Sequence, residues 1–462
     1  MPKQKDKNIK EIQIIEIENN IFHLSLNNKN FRRLIIFRDI KNLFSLIRIH
    51  NKEKAEQVNV NIIIYSENKY ENPKELFWRS ALKVNDLYYK QYLSFFSLKN
   101  KTTNINVSLN LSIFWNSKII KLLDIKTKQR ILESIRLTTF VRNLIDVPSD
   151  VLTPTNFVKL VQWFIQKYLP RINNNITLEI LGEKELIKLH FDSMLSVSRG
   201  SNEEAKVLIL KYFGDKKKNK TYGLAGKGIT YDSGGMNIKI HDYMRDMKLD
   251  MSGAATSVAM LIYAAINELP INLISVSGLC ENMVSNKSYR PGDIIKTKSK
   301  KTVEIDNTDA EGRMVLIDLI EFLQTDLNIT NIFTFATLTG QVRRFLNSIA
   351  LPILSNSDKI ISIVTKLKNK NNYGNLNLCV LPFDERYRKS MLSNTLADIR
   401  NCGTISSTIS AGMFLHFFTN KNVKFTHFDI ANVAFDGKKH LSNNSHYDLM
   451  FKMLKKLSED EQ

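Results

Sequence analysis

Cysteine is scarce in this sequence, with three residues (Cys280, Cys379 and Cys402) among 462 and no CxxC pair. Cysteines so widely spaced argue against a zinc knuckle and against the disulfide framework of a secreted domain. The sequence also lacks any run of about 18 apolar residues, so it predicts no membrane-spanning helix. Residues 1–10 are charged and contain no apolar signal-peptide core. These absences predict an intracellular, cytoplasmic protein without a membrane partner.

Acidic residues are also under-represented, with 46 against 66 basic residues and a formal net charge of +20. Such an excess can favour nucleic acid or another polyanion as a partner. Lysine, asparagine and isoleucine are however abundant along the whole chain, and no basic stretch carries the interleaved aromatic residues of a nucleic-acid surface. The sequence therefore predicts nucleic-acid binding as a secondary role at most.

The chain is too long for one ordinary domain, and a hydrophobic content of 43% is enough for two cores. Residues 1–145 alternate strand-like runs (12–17, 33–37 and 58–65, then an apolar region at 95–115) with polar stretches, and carry no catalytic spacing. Residues 130–145 have the pattern of an amphipathic helix that ends before Pro148. We therefore predict an N-terminal domain over residues 1–145 and a second domain over residues 146–462.

Short apolar segments alternate with helix-like segments in the second domain, which predicts an α/β sheet covered by helices on both faces. The Lys-, Asn- and Gly-rich stretch 366–375 is predicted to be a surface loop. The predicted strands are residues 205–213, 221–229, 271–279, 302–305, 330–338 and 425–431, and the predicted helices are residues 254–269, 314–325 and 411–418.

The first segment with chemical potential is GKGITYDSGG at residues 226–235, followed by Lys239. It stands at the end of a predicted strand, where α/β proteins usually bind ligands. Its four glycines allow tight turns and close approach of the backbone to a bound group. A phosphate loop is the competing interpretation, but the spacing matches neither GxGxxG nor GxxxxGK[ST], and Asp232 would repel phosphate unless a metal intervened.

The second segment is MKLDMSGAA at residues 247–255, in which Asp250 directly precedes an apolar, alanine-rich predicted helix. Taken alone, this position favours a simple helix cap, in which the carboxylate accepts backbone N–H groups. The functional alternative is a metal ligand.

The third segment is NTDAEGR at residues 307–313, between a predicted strand and a predicted helix. In extended backbone, residues two apart point to the same side, so Asp309 and Glu311 can converge. Two like charges so placed repel each other unless a cation or a proton lies between them. Arg313 could be that cation in a purely structural ion pair.

Four carboxylates (Asp232, Asp250, Asp309 and Glu311) thus follow strand ends in one α/β domain. Oxygen-rich ligand sets suit Mg²⁺, Mn²⁺ or, less typically, Zn²⁺. Two divalent ions about 3.5–4 Å apart, bridged by carboxylates, are a common device for activating water. The residues alone predict a two-metal hydrolase and leave phosphoesters and peptides open as substrates.

These three segments resemble the signature segments of the M17 leucyl (cytosol) aminopeptidases, and residues 307–313 are highly specific to that family. The resemblance implies a smaller, variable N-terminal α/β domain and a larger catalytic α/β domain with a central mixed sheet flanked by helices. Apart from Arg142–Leu144, residues 1–145 show no match to the family. Further matching positions are Arg142–Leu144, Pro148, Thr153–Pro154, Ser198–Ser201, Leu279–Met283, Arg290–Asp293, Ala336–Gly340, Leu396–Asp398, His427 and Asp429–Ala431.

The resemblance implies that five side chains bind two divalent ions, Zn²⁺ or Mn²⁺. Asp232 and Glu311 would bridge both ions, Lys227 and Asp250 would complete the tightly held site, and Asp309 would complete the more exchangeable one. An ammonium has no lone pair, so Lys227 would have to bind as the neutral amine beside the two cations.

The resemblance also implies roles for residues near the metals. Lys239 would polarise the scissile carbonyl and stabilise the oxyanion. Arg313, with backbone near Leu338, would hold a bicarbonate ion that acts as general base. Asn307 would be a further substrate-binding residue.

The first-residue pocket would be mostly apolar or small, which favours leucine-like residues at the N-terminus of the peptide. Asn432 and Ala434 depart from the family's usual glycine and methionine, and leave the side-chain preference open. The pocket positions would be Met247, Thr337, Gly340, Ala431 and Ala434.

The leading hypothesis is therefore a metallo-aminopeptidase that acts on peptides with a free N-terminus and assembles, by resemblance, as a homohexamer. Two alternatives remain, namely a DNA-binding architectural protein on the same fold and an inactive scaffold. The charge of +20 is the only support for the first. Retention of all five ligand types together with Lys239 and Arg313 argues against the second.

Overall fold

The computed structural model divides into two compact units, Met1–Thr139 and Phe140–Gln462, whereas the sequence analysis predicted the domain boundary after residue 145. The residues that the structure describes are 9–17, 21–27, 34–37, 57–66, 106–115, 118–119, 125–169, 175–215, 220–370, 376–392, 396–437, 440–443 and 445–460.

The first unit contains a six-stranded sheet with the order β3-β2-β1-β4-β5-β6. Strands β1, β4 and β5 are parallel to one another, whereas β2, β3 and β6 run antiparallel to their neighbours. All three predicted strand-like runs overlap these strands, and residue 33 together with residues 95–105 of the predicted apolar region lies outside the described residues. The bounds are β1 Ile9–Ile17, β2 Ile21–Asn27, β3 Leu34–Phe37, β4 Gln57–Ser66, β5 Asn106–Trp115 and β6 Lys118–Ile119.

The second unit is built on an eight-stranded mixed sheet with the order β15-β14-β17-β13-β9-β10-β8-β7. Its centre, from β17 through β13 and β9 to β10, is parallel, and β14, β8 and β7 introduce antiparallel pairs towards the edges. The bounds are β7 Ile176–Leu181, β8 Lys206–Phe213, β9 Thr221–Asp232, β10 Asn272–Asn282, β11 Ile294–Lys296, β12 Thr302–Glu304, β13 Asn331–Ala336, β14 Ala350–Ser355, β15 Asn377–Val380, β16 Ile399–Arg400, β17 Lys424–Asp429, β18 Phe435–Asp436 and β19 Leu441–Ser442.

Helices alternate with these strands, so the α/β class with a central mixed sheet is confirmed. A 3-10 helix, His241–Met251, leads directly into α5, and a short π-helix, Phe322–Asp326, follows α6. The bounds are α1 Ile125–Asp146, α2 Pro154–Tyr168, α3 Glu183–Lys188, α4 Asp192–Ser198, α5 Ser252–Ile266, α6 Glu311–Glu321, α7 Gln341–Leu346, α8 Asp358–Lys370, α9 Glu385–Lys389, α10 Ser407–Phe417 and α11 Ser445–Glu459.

The core of the second unit surrounds β9, β10, β13 and the apolar helix α5. Strands β9 and β10 are buried along almost their whole length, as expected for central strands with both faces covered. Among the described residues, one helical stretch, His241–Ile266, is long and apolar enough to cross a membrane, but 94% of its most apolar window is buried. Such burial is typical of a core helix in a globular domain.

The predicted surface loop at residues 366–375 is wrong over its first part, because α8 continues to Lys370. Ile360, Ile363 and Val364 are buried at helical spacing, and their packing extends the helix into the lysine-rich stretch. Residues 371–375 lie outside the described part of the chain.

Candidate metal centre

The centre forms at the carboxyl end of β9, which lies between β13 and β10. Lys227 and Asp232 are five residues apart on this strand, so in a regular strand their side chains would point to opposite faces. The pairing of β9 with β10 shifts by one residue between Cys280 and Glu281, opposite Thr230. A bulge of this kind restores a common side for the two residues, and bulges often redirect side chains next to active sites.

Lys227 is the buried cation of the cluster, with 3% of its surface exposed. Its Nζ lies 2.8 Å from Asp250 Oδ2 and 2.7 Å from Glu311 Oε1, and it donates to the carbonyl oxygen of Thr337 at 3.2 Å. A Cβ at Gly312 would come within 2.7 Å of Lys227 Nζ and closer still to two carbons of its side chain. A glycine at this position therefore leaves room for the lysine.

Lys239 is a second cation on the solvent side of the cluster. Its Nζ lies 2.6 Å from Asp232 Oδ2 and also donates to Asp309 Oδ1. Asp232 in turn accepts from Asn282 Nδ2 at 2.8 Å and from the backbone N–H of Gly234 at 2.9 Å. Each lysine thus bridges two carboxylates.

Asp250 does not cap α5, so that interpretation of the second segment is wrong. The N-cap residue is Met251, which makes no side-chain cap. The Asp250 carboxylate instead accepts from Thr337 Oγ1 at 2.8 Å and contacts Lys227. The preceding 3-10 helix turns the chain so that Asp250 faces the end of β9 rather than the helix N-terminus.

Asp309 and Glu311 converge as predicted, although the backbone between them is not extended. Ala310 ends the turn, and Glu311 is already the first residue of α6. One oxygen from each of Asp232, Asp309 and Glu311 lies within 4.8 Å of the others. Glu311 Oε2 is buried and has no hydrogen-bond partner in the described structure. A buried carboxylate oxygen without a donor, among converging carboxylates, fits a divalent-cation site.

Burial and mutual repulsion determine the charge states in the absence of metal ions. Burial raises the pKa of Asp309 to about 7, with repulsion from Glu311 and Asp232 acting in the same direction. Burial also raises the pKa values of Asp232 and Asp250. Burial alone would lower the pKa of Lys227, but attraction to Asp250, Glu311 and Asp232 outweighs it and raises that pKa. Both the lysine charges and the raised carboxyl pKa values indicate a site with surplus negative potential.

Burial would likewise raise the pKa of Glu311, yet the neighbouring Lys227 and Lys239 lower it overall. Glu311 therefore stays ionised at the centre of the cluster. It is the carboxylate best suited to bind cations on both of its oxygens.

Arg313 is buried but forms no ion pair with Asp309 or Glu311, so the structural ion pair considered for the third segment is wrong. It donates to the carbonyl oxygen of Asn401 and stacks over Phe414, with its guanidinium carbon 5.7 Å from the ring centroid. Its Nε is buried and has no partner among the described residues. A buried guanidinium with a spare donor can hold an anion.

Of the predicted pocket residues, Thr337 and Gly340 follow β13, Ala431 and Ala434 follow β17, and Met247 lies on the 3-10 helix. Thr337 and Ala431 are 7% and 6% exposed, Gly340 is exposed, and Met247 and Leu338 are half-buried, whereas Ala434 has no exposed surface. The N–H of Leu338 donates to Asp429 Oδ1 at 3.1 Å. Asn307 Oδ1 accepts from the backbone N–H of Asp309 at 2.8 Å. This local turn orients Asp309, one of the candidate metal ligands.

Sequence analysis assigned no role to Asn237, Thr308 or Asn282, which hold the carboxylates in place. Asn282 Nδ2 donates to Asp232 Oδ1 and, at 3.0 Å, to the carbonyl oxygen of Thr308. Only the positions of Asn282 and Thr308 in the sequence could have indicated such a role. Both lie inside segments that matched the family, and Thr308 is next to residues with assigned roles.

Comparison with known proteins identifies relatives of one kind. A family model of the catalytic domain of cytosol aminopeptidases matches residues 139–452, more than half of this chain. A probable cytosol aminopeptidase of Rickettsia bellii is 32% identical over 345 residues, which are 74% of this chain and 66% of that protein. One of Mycoplasma pneumoniae is 40% identical over 301 residues, covering 63% of this chain and 64% of that protein. One of Clostridium tetani is 30% identical over 385 residues, covering 83% and 76%. The aligned region therefore spans just under two thirds of the first two relatives.

Proposed function

The chain belongs to the cytosol aminopeptidase family, and from this premise we propose that it is a two-metal aminopeptidase that releases the first amino acid of peptides. The observation that carries the proposal is the cluster itself. Oxygens of Asp232, Asp309 and Glu311 lie within 4.8 Å of one another, beside Asp250 and Lys227. This donor set, one amine and four carboxylates, suits two divalent ions such as Zn²⁺ or Mn²⁺.

Asp232 and Glu311 would bridge the two ions, with Lys227 and Asp250 completing one site and Asp309 the other. When bound, the ions would supply an activated water and a Lewis acid for the scissile carbonyl. To serve as a ligand, Lys227 must give up the proton with which it now contacts Asp250 and Glu311.

Lys239 would act as the charged donor to the carbonyl oxygen. Its ammonium lies between Asp232 and Asp309, on the more exposed side of the cluster. Burial would lower its pKa, but Asp232, Glu311 and Asp309 raise it overall, so it keeps its proton. A fixed positive charge at this position stabilises negative charge that develops on the substrate oxygen.

Arg313 would hold a bicarbonate ion, which would supply a general base when bound. Support comes from its buried Nε, which has no partner in the described structure. Because the N–H of Leu338 is already donated to Asp429, we assign the anion to Arg313 rather than to that backbone group.

The side chain of the first residue would lie against Met247, Thr337, Gly340 and Ala431. These residues are apolar or small, which favours a leucine-like side chain with modest discrimination among hydrophobic residues. We leave Ala434 out of the direct contacts because it has no exposed surface.

The decisive experiment is hydrolysis of a panel of amino-acid amides by chelator-stripped protein before and after addition of Mn²⁺ or Zn²⁺. We expect no turnover without metal, and restored turnover that is fastest on leucyl amide. Glu311→Ala should lose both turnover and at least one bound ion. Fully metallated wild-type protein that releases nothing from any free-amine substrate would contradict the proposal and favour the inactive scaffold.

The hexameric assembly, the cytoplasmic location and the secondary nucleic-acid role stay predictions from the sequence. Sedimentation tests the first. A gel-shift titration at low salt tests the last, and absence of retention would exclude it.

A further inference from the structure

Asn237 and Thr308 form a reciprocal hydrogen-bonded pair between two loops of the metal centre, residues 233–240 after β9 and residues 305–310 before α6. The N–H of Asn237 donates to Thr308 Oγ1 at 2.8 Å, and the N–H of Thr308 donates to Asn237 Oδ1 at 2.8 Å. The Thr308 hydroxyl also lies 2.6 Å from the carbonyl oxygen of Gly234. One loop is therefore tied to the other through both backbone and side-chain groups.

Each partner of this pair stands next to a residue of the catalytic cluster. Lys239 follows Asn237 by two residues, and its N–H returns to the carbonyl oxygen of Ser233 at 2.9 Å. Asp309 directly follows Thr308. The ammonium of Lys239 and the carboxylate of Asp309 meet each other across the two loops. Their relative position therefore depends on how the loops are joined.

Thr308 is also held by hydrogen bonds from two residues outside the pair. Its carbonyl oxygen accepts from Asn282 Nδ2 at 3.0 Å and from the hydroxyl of the fully buried Tyr289 at 2.7 Å. On the other loop, Gly235 has φ +64°, and a Cβ there would lie 3.0 Å from Thr308 Oγ1. The loops thus approach closely, and Thr308 is the anchored partner while Asn237 is exposed.

We propose that the Asn237–Thr308 pair is a positioning device that sets the geometry of Lys239 and Asp309. Neither residue of the pair touches the substrate or a metal in this role. The inference rests on the proposed function, since it assigns Lys239 to the carbonyl oxygen and Asp309 to the more exchangeable metal. Without the pair, the backbone of the segment that carries Lys239 keeps its bond to Ser233, and the Lys239 ammonium keeps its contacts with Asp232 and Asp309, but the direct tie between the two loops is lost.

Loss of the pair should misplace both groups without removing either. A displacement of about 1 Å at a catalytic group can cost on the order of a hundredfold in rate. We therefore expect kcat to fall at least tenfold in Asn237→Ala and in Thr308→Val, with KM changed less than threefold. One of the two Mn²⁺ ions should bind at least tenfold more weakly, because Asp309 no longer points at its site.

The test combines kinetics on leucyl amide with Mn²⁺ titration of chelator-stripped protein, followed by the electron paramagnetic resonance signal of free Mn²⁺. Asn237 is exposed, so Asn237→Ala should fold even where Thr308→Val does not. Thr308→Ser keeps the hydroxyl and should return kcat and both affinities to within threefold of wild type. Met236→Ala, an exposed neighbour outside the pair, is the matched control for loop substitution.

Wild-type kcat and two wild-type Mn²⁺ affinities in folded Asn237→Ala would overturn the proposal. So would a Thr308→Ser variant as impaired as Thr308→Val, because restoring the hydroxyl at this position would then not restore the placement of Lys239 and Asp309. If the wild-type protein hydrolyses no amide at all, the proposed function fails. The Mn²⁺ titration still decides whether the pair orients Asp309.

Discussion

Lys227 Nζ lies 2.7 Å from Glu311 Oε1 inside the cluster that is proposed to bind metal ions, and both side chains are almost completely buried. The ammonium therefore neutralises carboxylates that a divalent ion would otherwise neutralise. Metal uptake at this position would exchange one cation for another, and the lysine would have to lose its proton to become a ligand. The stability of the metal-free protein therefore depends on the positive charge of Lys227.

Substitution of Lys227 by methionine should destabilise the metal-free protein strongly. Removing one partner of a buried ion pair leaves uncompensated charge and costs about 3–5 kcal/mol. We expect chemical denaturation of chelator-stripped Lys227→Met to show a loss of this order. Lys206→Met removes a lysine from a surface pair with Glu204 and should cost less than about 1 kcal/mol. Equal losses in the two variants would contradict the buried-charge explanation.

Lys239→Met should separate catalysis from metal binding. The side chain is not among the proposed ligands, so the purified variant should contain as much metal as wild type by elemental analysis. Its kcat should fall by about 10²–10³, the usual effect of removing one donor to a developing oxyanion. Loss of metal together with activity would instead show that Lys239 maintains the arrangement of Asp232 and Asp309.

The sequence predicted the α/β class, five of the eight strands of the large sheet (β8, β9, β10, β13 and β17) and the segments that form the centre. These features are local, because strands and helices follow from periodicity, and the NTDAEGR segment is continuous in sequence. The partners of each side chain were not predictable in this way. Whether Asp250 caps a helix or meets Lys227 depends on a contact between residues 23 positions apart.

Two features of the centre depend on the tertiary structure and could not be derived from the local sequence. The convergence of Asp309 and Glu311 was derived from extended backbone, but α6 begins at Glu311. The side chains of Lys227 and Asp232 point to the same side of β9 because the strand has a bulge opposite Cys280. No residue pattern in the sequence predicts this bulge. The network of Asn237, Thr308 and Asn282 is likewise invisible without the fold, since it joins three separate segments.

Arg313→Met should remove the response to bicarbonate. If the buried guanidinium holds that ion, wild-type turnover in bicarbonate-free buffer should rise on its addition. The variant should be slower and show no such rise, with unchanged metal content because Arg313 contacts no proposed ligand at hydrogen-bond distance. Equal acceleration of both proteins by bicarbonate would contradict the assignment. Added chloride at the same ionic strength controls for salt effects.

Asp318 should make stability depend on pH, although it lies outside the metal centre. It is fully buried and accepts from the backbone N–H groups of Met194 at 2.9 Å and Lys298 at 3.3 Å. Burial raises its pKa from 3.8 to about 7, and the backbone donors offset only part of that effect. Because the folded state holds this proton more tightly than the unfolded chain, the contribution of Asp318 to stability is complete below about pH 4. It is lost as pH rises towards 7.

Asp318→Asn removes this dependence and carries a constant penalty of about 1–3 kcal/mol, because its amide N–H₂ cannot accept from one of the two backbone donors. The free energy of unfolding of the variant, relative to wild type, should therefore improve with rising pH between about 4 and 7. The slope should be on the order of 1 kcal/mol per pH unit. Denaturant unfolding of both proteins in chelator at pH 5, 6 and 8 measures this difference, in which the titration of the metal ligands cancels. A difference that stays constant with pH would mean that Asp318 is ionised throughout and that its two backbone donors, rather than its burial, dominate its pKa.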